Sequence, residues 1–114
     1  MTKRVYEDEI ITKEFLLELG KSIKFLKPTR ALIFGSYLDK GILARDIDLL
    51  ILSDYFNNYL WQDRFELLDL PGNHFYDLFL YTPDEFKKFL PLTNLLRQNM
   101  EKHHLDLEVY YNEG

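Results

Sequence analysis

Three aspartates have the types and spacing of a divalent-metal site. Asp46 and Asp48 open an apolar run, 47–52, and Asp77 lies inside a second apolar run, 75–81. On a strand, residues two apart point to the same side, which puts the first two Cα atoms about 6 to 7 Å apart. Carboxylates this close repel each other, and a hard cation such as Mg²⁺ between them offsets the repulsion. If the two runs are neighbouring strands, the three carboxylates meet and could hold two metal ions for in-line phosphoryl transfer.

Each aspartate also has an interpretation without metal. Asp46 and Asp48 could be solvated residues at a strand end or acceptors in a turn, and Asp77 could be exposed on an edge strand. Aspartate is disfavoured in strands, and a buried carboxylate without a partner is costly. The choice between the two interpretations therefore depends on whether the two runs pair side by side.

Two further features are candidates for binding phosphate. Gly35 and Ser36 follow the short apolar run 31–34. Glycine lets the backbone turn and approach a ligand closely, and Ser36 offers a hydroxyl and an N–H at what could be a helix start. The same dipeptide is also an ordinary strand-ending turn. Arg64 could reach a triphosphate, or it could be a surface or ion-paired arginine.

The order and spacing of these motifs resemble the signature of the DNA polymerase β-type nucleotidyltransferases. That signature has an apolar residue, Gly-Ser, a spacer and an acid–apolar–acid strand; here it is Phe34-Gly35-Ser36, nine residues, and Asp46-Ile47-Asp48. Tyr76-Asp77-Leu78 is similar to the third acidic strand of that family. The resemblance covers about residues 31–86. The short length is most similar to the minimal nucleotidyltransferases of bacteria and archaea, which are often encoded beside a small helical partner of the HEPN type.

The resemblance implies a fold, a reaction and a partner. Asp46 and Asp48 would bind two Mg²⁺ ions, with Mn²⁺ as the alternative, and Asp77 would complete the site and help to activate the attacking hydroxyl. Gly35 and Ser36 would hold the triphosphate of ATP or another nucleoside triphosphate. Family members of the paired kind act as antitoxins, some by transferring AMP to a tyrosine of the partner toxin.

The sequence departs from the family pattern near both motifs. Many relatives carry serine just before the acid pair, where Arg45 stands here, and arginine shortly after Gly-Ser, where Tyr37 and Leu38 stand. Lys40 is the candidate to replace that cation. These departures leave the predicted metal site unchanged and affect the choice of nucleotide and the hold on its phosphates.

The elements that must position these residues follow from the hydrophobic pattern. We expect helices over 12–26, 60–70 and 92–102, and strands over 31–34, 47–52, 75–81 and 105–111. A capping box, Thr82-Pro83-Asp84-Glu85, begins another helix, and residues 53–58 are expected to be a loop. Trp61 is assigned to the core, and the three histidines are assigned no catalytic role. The order indicates an α/β (α+β) fold, a nucleotidyltransferase fold with a small mixed β-sheet flanked by helices.

Composition sets the outer bounds. The chain of 114 residues has the size of a single domain, 1–114, and its 46% hydrophobic content is typical of a globular protein. The net charge of −5 and the lack of a long basic run argue against strong stand-alone nucleic-acid binding. There is no cysteine, which suits a cytoplasmic location. No apolar run reaches the roughly 18 residues of a membrane span.

Three functions agree with these features. The first is metal-dependent transfer of a nucleoside monophosphate, AMP from ATP, to a hydroxyl on a partner protein, as the antitoxin of a HEPN-type pair. The second keeps the fold and binds such a partner without catalysis. The third is transfer to a small alcohol such as an aminoglycoside, and it would require a second subunit in a homo-oligomer. Asp48→Asn distinguishes the first from the second, since it abolishes catalysis and spares simple binding.

Overall fold

A four-stranded mixed sheet forms the centre of the protein. The computed structural model describes residues 12–35, 46–72, 75–88, 98 and 100–112. The strands are β1 (Arg30–Phe34), β2 (Asp46–Leu52), β3 (Phe75–Tyr81) and β4 (His104–Asp106), in the spatial order β3-β2-β1-β4. β2 runs parallel to β3 and antiparallel to β1, and β4 is antiparallel to β1. The predicted α/β class with a small mixed sheet is confirmed.

Helices begin at the signals that the sequence carries. Helix α1 (Lys13–Ile23) starts at Thr12, whose Oγ1 accepts a hydrogen bond of 3.1 Å from the backbone N–H of Phe15. Helix α2 (Pro83–Lys88) starts at the predicted capping box. There the Glu85 N–H donates to Thr82 Oγ1 at 3.1 Å, and the Thr82 N–H donates to Glu85 Oε1 at 3.0 Å. Helix α3 (Glu108–Tyr111) is a single turn at the C-terminal side of β4.

The sheet is covered on both faces, so the protein has three layers. Alternate residues of β1 and β2 point to opposite faces, which explains why both strands are apolar almost throughout. The first face is covered by α1 and α3; its buried residues include Leu16, Leu19, Ile23, Ile33, Leu49, Ile51, Leu107 and Tyr111. The second face is covered by α2 and by the helical residues around Met100; its buried residues are Leu32, Phe34, Leu50, Leu52, Phe86 and Met100.

Contact between α1 and α3 depends on a glycine. A Cβ placed on Gly20 would lie 2.5 Å from the backbone oxygen of Tyr110 and 2.6 Å from its carbonyl carbon. Any larger residue would push the two helices apart, because backbone atoms cannot rotate out of the way. Gly20 therefore fixes how closely α3 covers the first face.

Four sequence predictions differ from the structure. The segment predicted as a helix over 60–70 is a 3₁₀ helix at Trp61–Leu67, and the predicted loop contains a 3₁₀ helix at Asp54–Asn58. The predicted strand over 105–111 pairs only over His104–Asp106 and then turns into α3. Trp61 was wrongly assigned to the core, since its side chain is exposed.

Other predictions lie partly outside the described residues. The connection 36–45 and most of the predicted helix 92–102 belong to this group, although residues 98 and 100–102 are helical. Among the residues that the structure describes, no helix is both long and apolar enough to cross a bilayer.

Candidate functional site

The three aspartates are brought together by the parallel pairing of β2 and β3. Asp48 is the register partner of Asp77, and Asp46 is the partner of Phe75. Directly paired residues share a face of the sheet, and so do residues two apart on one strand. Asp46, Asp48 and Asp77 therefore lie on the same face, on neighbouring strands. The adjacency on which the predicted carboxylate site depends is present in the structure.

This carboxylate site lies at the polar end of the second face of the sheet. Asp48 is also the register partner of Phe34 in β1, and the Phe34 ring lies 5.4 Å from the Phe79 ring, centroid to centroid. The buried cluster therefore stops at Asp48. Asp46 and Asp77 are exposed and Asp48 is half-buried. One carboxylate thus lies between solvent and an apolar core, with a charged neighbour on each side.

Asp48 is electrostatically unfavourable as a bare carboxylate. Its pKa is raised from 3.8 to about 6, first by burial and then by the negative charges of Asp77 and Asp46. Among the described residues, no hydrogen bond or ion pair joins a donor to any of the three carboxylates. A cation bound among the three would remove the repulsion that raises this pKa.

Gly35 makes room for the Asp48 carboxylate. Its backbone has φ +85°, a left-handed conformation that L-residues with a Cβ rarely adopt. A Cβ built on Gly35 would overlap Oδ2 of Asp48 and lie 3.1 Å from its Cγ. The Gly35 backbone thus lies directly against the Asp48 carboxylate. The predicted approach of this backbone to a phosphate stays a prediction.

We expect Gly35→Ala to destabilise the fold and displace the Asp48 carboxylate. The left-handed backbone alone costs a residue with a Cβ about 1 to 2 kcal/mol, and the overlap with Oδ2 adds to this. Gly72→Ala is the control, because Gly72 has φ +82° and carries the same backbone cost. Urea denaturation should show the larger loss for Gly35→Ala. Equal losses would mean that the contact with Asp48 is unimportant.

Arg64 does not belong to the carboxylate site. Its guanidinium is buried and donates to both carboxylate oxygens of Glu85, at 2.7 and 2.8 Å, and to the backbone oxygen of Leu80 at 3.0 Å. It also lies against the rings of Phe56 and Trp61, 5.5 and 5.6 Å from their centroids. A phosphate could reach it only by breaking this pair. The ion-paired interpretation therefore describes Arg64 in this structure.

The partner of Arg64 is not evident from the sequence. Glu85 was recognised only as part of the capping box, and it performs both roles with one carboxylate. The two residues are 21 positions apart, and no local pattern connects them. A lone arginine in an otherwise acidic and aromatic segment was the available signal that it needed a partner.

The remaining candidates are not joined to the site by the described residues. Ser36 and Lys40 lie outside the described part of the chain, as does His74. His103 is exposed, and Nδ1 of His104 lies 2.5 Å from the backbone oxygen of Met100. Within the described ranges, no three acidic or histidine side chains stand close enough to hold a metal ion as they are placed. Ligation by all three aspartates would therefore require side-chain rotation, which the exposure of Asp46 and Asp77 permits.

The donor set nevertheless fits a hard divalent cation. Carboxylate oxygens are the ligands that Mg²⁺ prefers, and it usually takes one or two from the protein and the rest from water and phosphate. Asp48 is the best-placed ligand, because it lies between the other two aspartates and its charge has no counterion among the described residues.

Comparison of the chain with protein-family models, with curated proteins and with solved structures finds no match.

Proposed function

We propose that the protein is a metal-dependent nucleotidyltransferase that transfers a nucleoside monophosphate, AMP from ATP, to a hydroxyl. The observation that carries the proposal is the pairing of Asp48 with Asp77 on parallel neighbouring strands, with Asp46 on the same face. This places three negative charges at one solvent-accessible edge of a buried cluster, where Asp48 has a raised pKa. Uncompensated charges of this kind are typical of sites that act on a ligand rather than of sites that stabilise a fold.

Each residue of the site has a specific part in this reaction. Asp46 and Asp48 would hold the two Mg²⁺ ions, and these supply charge neutralisation of the triphosphate. Gly35 and Ser36 would bind the phosphates through backbone N–H groups and the serine hydroxyl. Asp77 would accept the proton of the attacking hydroxyl. The new bond joins that oxygen to the α-phosphorus, the bond to the bridging oxygen breaks, and pyrophosphate leaves.

A partner protein is the proposed acceptor. The resemblance to the minimal nucleotidyltransferases points to a helical HEPN-type partner, with a tyrosine hydroxyl as the group that receives AMP.

Calorimetry with Mg²⁺ and ATP tests the nucleotide site. The wild type should bind ATP only when Mg²⁺ is present, and the double variant Asp46→Asn, Asp48→Asn should lose this metal-dependent binding. The matched control is Glu14→Gln, Glu18→Gln, which removes two exposed charges from α1 and should bind as the wild type does. Equal ATP binding in all three proteins would contradict the proposal.

One observation favours the non-catalytic alternative. With Arg64 paired to Glu85, no described lysine or arginine lowers the pKa of Asp48. A catalytic site needs a cation for the triphosphate, and Lys40 is the candidate that the sequence offers. Two results together would make the binding antitoxin the better description. Lys40→Ala would leave metal-dependent ATP binding unchanged, and the wild type would form no adenylylated partner protein.

A further inference from the structure

An exposed aromatic surface lies at the end of β2 opposite to the carboxylate site. We define it by Tyr55, Tyr59, Leu60, Trp61 and Phe65, of which Leu60 is 66% and Trp61 45% exposed. Tyr55 and Tyr59 stack with centroids 5.6 Å apart, and Trp61 meets Phe65 edge-on at 5.5 Å. Side chains this large are normally buried. Four exposed ones and the half-buried Tyr59, along eleven consecutive residues, form an apolar patch of the kind that marks an interaction site.

The aromatic surface is held in place from below. Trp61 stacks on Tyr81 of β3 at 5.2 Å, and the buried guanidinium of Arg64 lies between the rings of Trp61 and Phe56. The Ser53 side chain accepts a hydrogen bond of 3.0 Å from the Tyr55 N–H and fixes the start of the segment. A surface with ordered side chains loses little conformational entropy when a ligand binds.

The exposed charges within the segment that carries the aromatic surface are all negative. Four exposed acids lie among or beside these residues: Asp54, Asp63, Glu66 and Asp69. Within the described part of the chain, none of the four takes part in an ion pair. Arg64 is the one lysine or arginine between positions 46 and 86, and Glu85 neutralises it. Basic residues lie at the border, where Phe25 meets the Tyr55 ring at 5.7 Å and is flanked in the sequence by Lys24 and Lys27.

This charge decides what the surface can bind. Nucleic acid is disfavoured, because exposed carboxylates repel phosphates even where aromatic rings could stack on bases. A second copy that pairs through the same surface is disfavoured as well, since it would bring eight carboxylates together in a protein whose net charge is already −5. A segment with apolar anchors and arginine or lysine between them is complementary, because cations pair with the acids and lie over aromatic faces.

We propose that this aromatic surface binds a basic amphipathic segment of a partner protein. The inference does not depend on the nucleotidyltransferase proposal. Asp48 and Asp54 are six residues apart along an extended strand and its exit, about 20 Å at 3.3 Å per residue. Loss of activity at the carboxylates would therefore leave this surface intact.

Trp61 reports on binding directly, because it is the only tryptophan of the chain. The probe is a synthetic helical peptide of leucine and arginine, with leucine at three- and four-residue steps. Its titration should change the Trp61 emission and saturate, and added salt should weaken the binding. A matched peptide with glutamate in place of every arginine should leave the emission unchanged.

Two sets of variants locate the binding. Phe65→Ala should weaken binding of the leucine–arginine peptide about tenfold, as loss of an aromatic anchor does. Asp63→Asn, Glu66→Gln should weaken it about fivefold, as loss of two rim ion pairs does. Glu14→Gln, Glu18→Gln carries the same change of net charge on α1 and should leave the affinity at the wild-type value.

Several results would overturn the proposal. An unsaturable titration, or equal weakening by both double variants, would mean that attraction is non-specific. Saturable binding of oligouridine, lost in Phe65→Ala, would make the surface a nucleic-acid platform instead. Self-association in sedimentation experiments, abolished by Phe65→Ala, would make it an interface between copies of this chain.

Discussion

Arg64→Ala is expected to lower the free energy of unfolding by about 3 kcal/mol, a large share of the 5 to 15 kcal/mol typical of a domain. Arg64 is 4% exposed, and its guanidinium makes three hydrogen bonds, two to Glu85 and one to the Leu80 backbone oxygen. Its removal leaves that buried oxygen and Oε2 of Glu85 without a donor, while Oε1 keeps its bond from the Thr82 N–H. It also opens a gap between the rings of Phe56 and Trp61.

Urea denaturation at two pH values checks both the size and the origin of this effect. The pKa of Glu85 lies below its ordinary value of 4.5, mainly because Arg64 donates hydrogen bonds to its carboxylate. A lowered folded-state pKa gives stability that is present above 4.5 and is lost as the pH falls through the folded value. The difference between wild type and Arg64→Ala should therefore shrink in acid.

Arg30→Ala is the matched control, because Arg30 also pairs with a glutamate. Its bond to Glu101 is 3.2 Å long, and both side chains are substantially exposed, 33% and 55%. Such a surface pair is worth roughly 0 to 1 kcal/mol. Equal losses of unfolding free energy in Arg64→Ala and Arg30→Ala would mean that the buried pair stabilises the fold no more than a surface pair does.

Local signals allowed the sequence to predict most strands and helix starts. The bounds of β3 match the predicted run 75–81, and the Thr82 capping box forms with both of its hydrogen bonds. Strand order was beyond reach, because pairing between β2 and β3 joins residues that are 29 positions apart, such as Asp48 and Asp77. The sequence shows that the carboxylate site requires β2 and β3 to be neighbours, and only the structure shows that they are.

Two of the misassigned segments have identifiable physical causes. The spacing of Trp61 and Phe65 suggested a helix with its aromatic side inward, but Arg64 takes the inner position and turns Trp61 outward. At the end of the chain, the Asp106 side chain accepts a hydrogen bond of 2.9 Å from the Glu108 N–H. This local bond bends the backbone into a turn and ends β4. Both causes are side-chain hydrogen bonds, which the hydrophobic pattern does not contain.

Asp48→Asn is expected to raise stability and abolish metal-dependent nucleotide binding at the same time. The rise of the Asp48 pKa from 3.8 to about 6 corresponds to a cost of about 3 kcal/mol for carrying the negative charge in the folded state. Partial exposure of Asp48 reduces this to about 1 kcal/mol. Asparagine has nearly the same shape and no charge, so the metal-free variant should melt about 5 °C above the wild type at neutral pH.

The pH dependence of this gain identifies its cause. A raised folded-state pKa means that the stability contributed by the protonated group is present below 3.8 and is lost as the pH rises through about 6. Melting curves of wild type and Asp48→Asn should therefore coincide in acid and separate between these two values. A gain that is the same at every pH would come from altered packing and not from removal of a charge that burial, Asp77 and Asp46 disfavour.

Saturating Mg²⁺ and ATP should reverse the order of the two proteins. A ligand that binds only the folded state stabilises it, by about 2.7 kcal/mol at one hundred times its Kd, and the variant has lost the ligand. Wild type should then melt above Asp48→Asn, although it melts below it when both are metal-free. Asp54→Asn removes an exposed acid just beyond the opposite end of β2. It should melt as the wild type does, both with and without the ligands. If the ligands raise both melting temperatures equally, Asp48 does not hold a metal. If they reverse the order, the Asp48 charge that destabilises the metal-free protein is also the charge that binds the metal.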